Sequence, residues 1–593
     1  MATDFRFPTD SPQTLTGLFA NSVARFPDRT AVSDGEQSLT YAELDRRAAT
    51  LAARLRALGL SREDRVGCYL DRSVDVVVTA LGTLMAGCAY VAVDPRYPDV
   101  RRDLMFATSG AAVVVTRPQW RERLSHLPVR LLPYRSSPVN DRPATAMSPS
   151  PSTAASVIFT SGSSGTPKAI VLEHRNLAFF SVNPGLPALS PADRVGQISN
   201  ISFDAFHFEV WNTLAAGAEV VFLPPVPDLI AADLRRELKR RRITALLVPT
   251  MVFNHVVRED RDAFSALRIL HTGGDVARPA ACRELLAGTF GGEFYNLYGP
   301  AEATTACTAQ RVTGCDDADA TVPIGHPLPG VTIRLLGPDD RLVARGTVGE
   351  IHVGGPGVAR GYLDAPALTG ERFVPDPLDP AARLYRTGDL ARERDDGALE
   401  FVGRADDQVK VRGYRVEPAE VERTLRRHPR IHDAAVLPSA DGMDRHLVAF
   451  VVHDGTLSLS EMRTFTEDEL PDFLVPSQFI SLSEIPATDH GKRDVSALRE
   501  MLETHGLQRD RTAPATATER QLVDLWSGLL GMEGIGTNDD FFTLGGHSLL
   551  AVRMRGRIKR EFGVDLDHRV ILAAPTVAGI AAAIDESREE TVV

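Results

Sequence analysis

The chain has 593 residues but only 5 cysteines, and none of them falls in a CxxC pair. An odd, scattered set at positions 68, 88, 282, 307 and 315 suits neither a disulfide framework nor a zinc site, so the thiols read as reduced and mostly structural. Long apolar stretches are also missing, and without an 18-residue run no membrane-spanning helix is expected. The first residues, MATDFRFPTDSPQTL, lack a basic segment leading into an apolar core, so a cytoplasmic protein is expected. Excess positive charge is absent too. With 66 basic and 78 acidic residues the net charge is -12, which leaves no electrostatic footprint for nucleic acid and serves solubility instead.

What is present is ordinary globular material: 43 % hydrophobic residues, enough to fill sizeable cores. The length corresponds to roughly four domains of about 150 residues, although α/β units run longer. Between about residues 30 and 400 short apolar runs such as VGCYLD, AAVVVT, AEVVFLPP, ITALLVPT and LRILHTGG alternate with amphipathic stretches. Strand then helix, repeated, predicts a large α/β body with parallel sheets. RSSPVNDRPATAMSPSPSTAA interrupts it as a polar loop. After about residue 400, FVGRADDQVKVRGYRVEPAEVERTLRRHP opens a smaller α+β unit with Val421 and Leu425 on one helix face. ETHGLQRDRTAPATATE then reads as a linker, followed by an all-α helical bundle of some 75 residues.

Two stretches carry chemistry. VIFTSGSSGTPKA is a strand-like run breaking into Gly, Ser and Thr, with Lys168 at its end. Small residues let backbone N–H groups approach an anion, hydroxyls add donors, and lysine adds a point charge for phosphate. It is not a Walker A loop, because the Gly-x4-Gly-Lys-[Ser/Thr] spacing is absent. The second stretch is DDFFTLGGHSLLAVRMRGRIK, where Ser548 opens a segment with Leu549, Val552 and Ile558 at helical spacing. A serine there serves as a helix cap or as an exposed functional hydroxyl, and local sequence leaves both open.

The phosphate-type loop resembles that of adenylate-forming enzymes, specifically the adenylation domains of nonribosomal peptide synthetases. The family's other motifs follow in order: LTYAEL, LMAGCAYVAVDPRYP, FDAFHFEVW, NLYGPAEAT, GEIHVGGPGVARGYL, YRTGDL, GRADDQVKVRGYRVEPAEVE and GKRDVSAL. The resemblance implies a nucleotide site from Thr160, Ser161, Gly162, Ser163, Ser164, Gly165 and Lys168, with Asn296, Tyr298, Gly299, Glu302, Asp389 and Arg404. Asp389 would accept from the ribose hydroxyls, with Arg404 as a second sugar contact, and Tyr298 would stack on adenine beside Asn296. Glu302 would help hold Mg²⁺ on the phosphates of ATP. Lys492 looks like the family's mobile lysine, stabilising charge as a carboxylate attacks the α-phosphate. Asp406 would be the hinge of a domain swing between two half-reactions. DDFFTLGGHSLLA in turn resembles the peptidyl carrier signature, whose serine bears 4'-phosphopantetheine, and Ser548 is thereby expected to be modified.

On this reading residues 1–403 are the large adenylation subdomain, 404–503 the small one, 504–515 a linker and 516–593 the carrier domain. Asp204 resembles the acidic residue that pairs with a substrate α-amino group. The other pocket positions fall by motif on Ala205, Phe208, Leu246, His271, Gly273, Leu297, Thr305 and Ala306. A mostly apolar lining favours a neutral side chain. The expected substrate is valine or a related branched aliphatic, with tyrosine-like residues second; His271 is the position that fits valine least. Three positions depart from the family pattern: Ala169, Ala301 and Val495. At Ala301 a usual threonine hydroxyl is lost, at a cost of roughly 1 kcal/mol.

The expected activity is ATP-dependent formation of aminoacyl-AMP and transfer of the acyl group to the chain's own carrier, for nonribosomal peptide, antibiotic-type biosynthesis. No condensation or thioesterase region fits the length, so use of the product in trans by a tailoring enzyme or a condensation domain is expected. A phosphopantetheinyl transferase and a small MbtH-like accessory protein are the further expected partners. Two rival readings remain at this point: an acyl-CoA or fatty acyl-AMP ligase, and a catalytically silent carrier scaffold.

Overall fold

The computed structural model describes residues 13–135, 149–162, 167–231, 233–315, 321–406, 408–411, 414–439, 446–455, 457–487, 493–505, 512–541, 544, 546, 548–566, 570–571 and 574–592. The chain divides into two compact units, one of residues 1–162, 166–223 and 235–408, the other of residues 163–165, 224–234 and 409–593.

The first unit contains two large sheets built largely of parallel strands. In the nine-stranded sheet, Thr30–Ser33, Glu219–Phe222, Arg194–Gln197, Ala245–Pro249, Ile269–Gly273 and Glu293–Tyr298 lie side by side in parallel. Antiparallel strands close both edges. In the seven-stranded sheet, Ala154–Thr160, Ala89–Ala92, Arg65–Tyr69, Val113–Thr116 and Arg130–Pro133 run parallel. Such strands are buried on both faces, which is why they read as continuous Val- and Ala-rich runs. The helix Val74–Met85, VDVVVTALGTLM, is buried along every residue and joins the main core with residues of both sheets. The parallel body expected from the sequence is therefore present.

A third sheet of five strands was not anticipated. Thr332–Leu336, Gly349–Gly354, Phe373–Asp376 and Leu399–Arg404 pair antiparallel with one another or with the long strand Asp379–Glu393. Polar and charged residues are spread through these strands, most of all along the 15-residue Asp379–Glu393, and Gly–Pro turns interrupt them, so apolar runs are weak.

In the second unit, Ile431–Pro438, Leu447–His453 and Gln478–Leu482 form a three-stranded sheet beside the helix Pro418–Leu425, whose Val421 and Leu425 are buried. The same unit holds the helices Ala517–Leu530, Ser548–Phe562 and Val577–Val592. Their core gathers Leu522, Trp526, Phe541, Met554, Ile558 and Ile580. Thr516 and Glu519 form a reciprocal cap at the start of the first of these helices. Among the described residues no helix is long and apolar enough to cross a membrane.

Candidate active site

The carboxyl ends of parallel strands are the usual place for ligands in α/β sheets, and the sequence motifs collect there. Parallel pairing puts Leu247, His271 and Tyr295 on one rung and Pro249, Gly273 and Leu297 on a higher one. Because side chains alternate along a strand, these two rungs share a face. Leu246 does not belong to it. It pairs with Leu270 and Gly196, one residue out of phase, and its side chain packs over Gly196 near Leu223 and Ile243. Leu246, expected in the pocket, therefore has its side chain one residue out of phase with His271, while Leu247 is the residue of that strand on the His271 side and packs against the main core.

Asp204 begins a short helix, Asp204–His207, that runs straight into a π-helical turn, Phe208–Asn212. Widened turns of this kind recur at functional sites. The Phe208 ring meets the His271 imidazole edge-on at 4.9 Å, joining the helix to the strand face. Ala205 lies in the same turn, half-buried, while Ala306 is buried in the main core. Thr305 Oγ1 donates to the Asp204 carbonyl at 3.0 Å, and Thr304 Oγ1 donates to the Gly357 carbonyl at 2.6 Å. Both threonines have positive φ, 61° at Thr304 and 69° at Thr305, a strained state for β-branched residues that the two hydroxyl bonds hold in place. Gly299 allows this turn to close, since a Cβ there would stand 2.5 Å from Ala306 Cα.

Asp204 has no cationic partner among the described residues, and its carboxyl is pushed up to about 6 by burial first, with the charge of Glu302 adding to the effect. Backbone bonding at Ala205 opposes the shift. One residue of this neighbourhood escaped the sequence reading. Glu209, in the π-turn, accepts from Ile198 N at 3.1 Å and Gln197 Nε2 at 2.8 Å, and Arg72 Nη2 in turn donates to Gln197 Oε1 at 2.7 Å. This buried network ties the Phe208 turn to the end of strand Arg194–Gln197. A lone glutamate inside FHFEVW gives no sequence signal of such a role.

A second group surrounds Asp389. Tyr298 Oη donates to Asp389 Oδ2 at 2.7 Å, and the Arg404 guanidinium donates to Asp389 Oδ1. Burial, then the Asp389 charge, push the Tyr298 phenol well above its usual range. Arg404 also donates to Asp406 at 2.6 and 2.8 Å and to Gln408 Oε1 at 2.6 Å. Asp406 therefore braces Arg404 at the end of the first unit. Asn296 is buried, with its Nδ2 donating to the Pro323 carbonyl at 2.9 Å. Glu302 is fully buried, and Tyr362 Oη donates to its Oε1 at 2.8 Å. Tyr362 was not singled out from sequence, where the ARGYL tyrosine reads as core packing.

Thr160 and Lys168 face each other where two antiparallel strands lead into and out of the glycine- and serine-rich loop. Ser161 and Gly162 are buried at its start. Ser163, Ser164, Gly165 and Lys492 lie outside the described residues. The Thr160 hydroxyl is buried without a hydrogen-bond partner among the described residues, a group that an anion's oxygen would satisfy. Together with buried Glu302 for a hard cation, the donor and acceptor set fits a magnesium nucleotide. In the other unit Ser548 is the first residue of its helix; its side chain lies outside the described residues. Gly546 just before it packs so tightly on Phe541 that a Cβ would stand 2.3 Å from the ring.

A model of AMP-binding enzymes matches residues 19–363. The chain belongs to the AMP-binding enzyme family. The C-terminal domain of AMP-binding enzymes matches residues 420–492, and a phosphopantetheine attachment site domain matches residues 520–584. Gramicidin S synthase 2 of Aneurinibacillus migulanus is 35 % identical over 97 % of this AMP-binding enzyme, which spans 13 % of that relative. Surfactin synthase subunit 3 of Bacillus subtilis is 34 % identical over 96 % of the chain, here spanning 45 % of the relative. Among solved structures, holo-PA1221, an NRPS protein containing adenylation and PCP domains bound to a vinylsulfonamide inhibitor, superposes with a TM-score of 0.83. It is 28 % identical, and 97 % of each chain is covered. The AMP-binding enzyme thus has the adenylation and carrier organisation of nonribosomal peptide synthetases, a family that uses ATP and 4'-phosphopantetheine.

Proposed function

We propose that the chain activates a neutral α-amino acid as aminoacyl-AMP, releasing pyrophosphate, and loads it onto its own carrier domain. The observation that carries this reading is Asp204: a carboxyl without a cationic partner among the described residues, set beside the strand face of His271, Gly273 and Leu297. A substrate ammonium completes it, since a carboxylate in a shielded site is costly until paired. Asp204 also weighs against an acyl-CoA or fatty acyl-AMP ligase, whose substrate carries no such cation.

The residues of this chain divide the work. Asp204 orients the amino acid so that its carboxylate faces the α-phosphate, and the Thr305 bond fixes the turn that bears Asp204. Asp389 and Arg404 hold the sugar, Tyr298 and Asn296 the base, and the Thr160 to Lys168 loop the phosphates. Glu302 is the residue for Mg²⁺, which supplies charge neutralisation on the phosphates. Lys492 stabilises the charge of the in-line displacement, and movement at Asp406 separates the two half-reactions. Attached to Ser548, 4'-phosphopantetheine supplies the thiol that accepts the acyl group. The boundaries at 403, 503 and 515 are retained as the domain limits of this scheme. A valine-sized side chain suits the small residues Ala205, Gly273 and Ala306. A phosphopantetheinyl transferase, an in-trans tailoring enzyme or condensation domain, and an MbtH-like accessory protein complete the cytoplasmic setting we propose.

Intact-protein mass spectrometry of the phosphopantetheinylated chain, given ATP, Mg²⁺ and single amino acids, tests this. One amino acid's mass added to the wild type and not to Ser548→Ala is the expected result. An arm-bearing protein that gains no mass with any amino acid contradicts it and favours the silent scaffold.

A further inference from the structure

We propose that the amino acid taken by this site bears a side-chain hydroxyl, hydrogen-bonded to His271, instead of an all-carbon side chain. The proposal rests on the activation reading above and specifies its substrate.

The observation behind it is a contrast among buried histidines. His174 accepts from the Leu15 amide at 3.3 Å, His207 bonds Ser156 Oγ at 3.2 Å, and His352 bonds the Glu350 carbonyl at 3.2 Å. Each of these rings is anchored through one nitrogen. His271 is 4 % exposed, and neither of its nitrogens makes a well-formed hydrogen bond among the described residues; the Leu246 backbone reaches the ring only as a poorly aligned hydrogen-bond partner. Buried polar groups are nearly always satisfied, so an imidazole without a well-formed bond at either nitrogen, and with the Leu246 backbone near at most one of them, points to a missing partner.

The neighbours do not provide that partner. Phe208 packs its ring edge-on at 4.9 Å, and the Tyr295 ring lies at 6.0 Å. The Tyr295 hydroxyl is engaged with Glu293 Oε2 at 3.0 Å, and the Thr305 hydroxyl with the Asp204 carbonyl. His271 shares the face of Gly273 and Leu297 at the carboxyl end of the sheet, where the side chain of an amino acid held by Asp204 would lie. Burial lowers the imidazole to about 3, so it stays neutral and presents one donor and one acceptor. A hydroxyl is the smallest neutral group that meets either nitrogen, and a charged side chain would have no counter-ion there.

Pyrophosphate exchange with matched pairs, threonine against valine, serine against alanine and tyrosine against phenylalanine, tests the proposal on the full chain. The hydroxylated member of the productive pair is expected to exceed its partner in kcat/KM by roughly 100-fold or more, since a site built to bond a hydroxyl strongly rejects the analogue without it. His271→Leu is expected to shrink that ratio to within about tenfold, the range that pocket shape alone provides, and His271→Gln to restore part of it. The proposal is overturned if the deoxy member is used equally or better, or if His271→Leu leaves the ratio unchanged. Exchange with no amino acid at all overturns the activation reading instead.

Discussion

Asp204 and Asp389 are both carboxylates at the carboxyl end of the same body, yet they are treated in opposite ways. Asp389 is gripped by the Tyr298 hydroxyl and the Arg404 guanidinium, and Arg404 is itself braced by Asp406 and Gln408. Asp204 has only the backbone of its own turn, and His271 close by has no well-formed bond among the described residues. The fold completes one region with its own side chains and gives the other no such partner among the described residues. In the function proposed above, the first is built in advance for a common nucleotide, and the incomplete groups of the second are where substrate choice would reside.

The largest effect should come from breaking the completed side. Asp389→Ala leaves the buried Tyr298 phenol without its acceptor, at about 1–3 kcal/mol, and takes from Arg404 a charge-assisted bond worth about 1.5–3 kcal/mol, although Asp406 and Gln408 still hold the guanidinium. Thermal denaturation is expected to show a drop of several degrees together with loss of pyrophosphate exchange; an unchanged melting temperature would mean that the pairing contributes nothing. Asp204→Asn is the converse. Its expected cost is about 1.5–3 kcal/mol in kcat/KM for the amino acid, the value of a charge-assisted bond, with a melting temperature equal to or above wild type. A fall in stability with kcat/KM intact would reverse the comparison.

The smallest effect concerns pH. Because burial raises the Asp204 carboxyl to about 6, protonation below that value removes the charge that, in the function proposed, pairs with the substrate ammonium. KM for the amino acid is therefore expected to rise as pH falls through about 6, and the bound ammonium will pull the inflection lower in the complex. The ligand-free fold behaves with the opposite sign. A raised carboxyl favours the protonated folded state, so its contribution to stability is full below the ordinary aspartate range and is lost as pH rises towards 6. Both trends should vanish in Asp204→Asn, and their persistence would assign them to another group.

Much of this was legible in the sequence, for a physical reason. Parallel strands buried on both faces must be apolar throughout, so the α/β body announced itself, and motifs scattered from Asp204 to Thr305 come together because parallel strands end on one side. Register was not legible. Leu246 and Leu247 are indistinguishable as letters, and only the pairing with Leu270 and His271 decides which one shares the His271 face. The antiparallel sheet after Val331 escaped because charged residues run through its longest strand, Asp379–Glu393, and break up the apolar pattern. Glu209 and Tyr362 escaped because each acts through another residue, and sequence records no such partnership. The strain at Thr304 and Thr305 was equally hidden, since threonine carries no local signal for positive φ.

That strained pair has a consequence for anyone wishing to redirect the enzyme to a new building block. Exchanging Thr305 for a larger apolar residue would change the wall of the proposed pocket, but it also removes the bond to the Asp204 turn and leaves a residue at positive φ without that restraint. A library randomised at that position will recover altered selectivity only alongside weakened anchoring of every amino acid. Diversity placed at Ala205, Ala306 and His271 leaves this tether untouched, and is the more direct route to a recoded module.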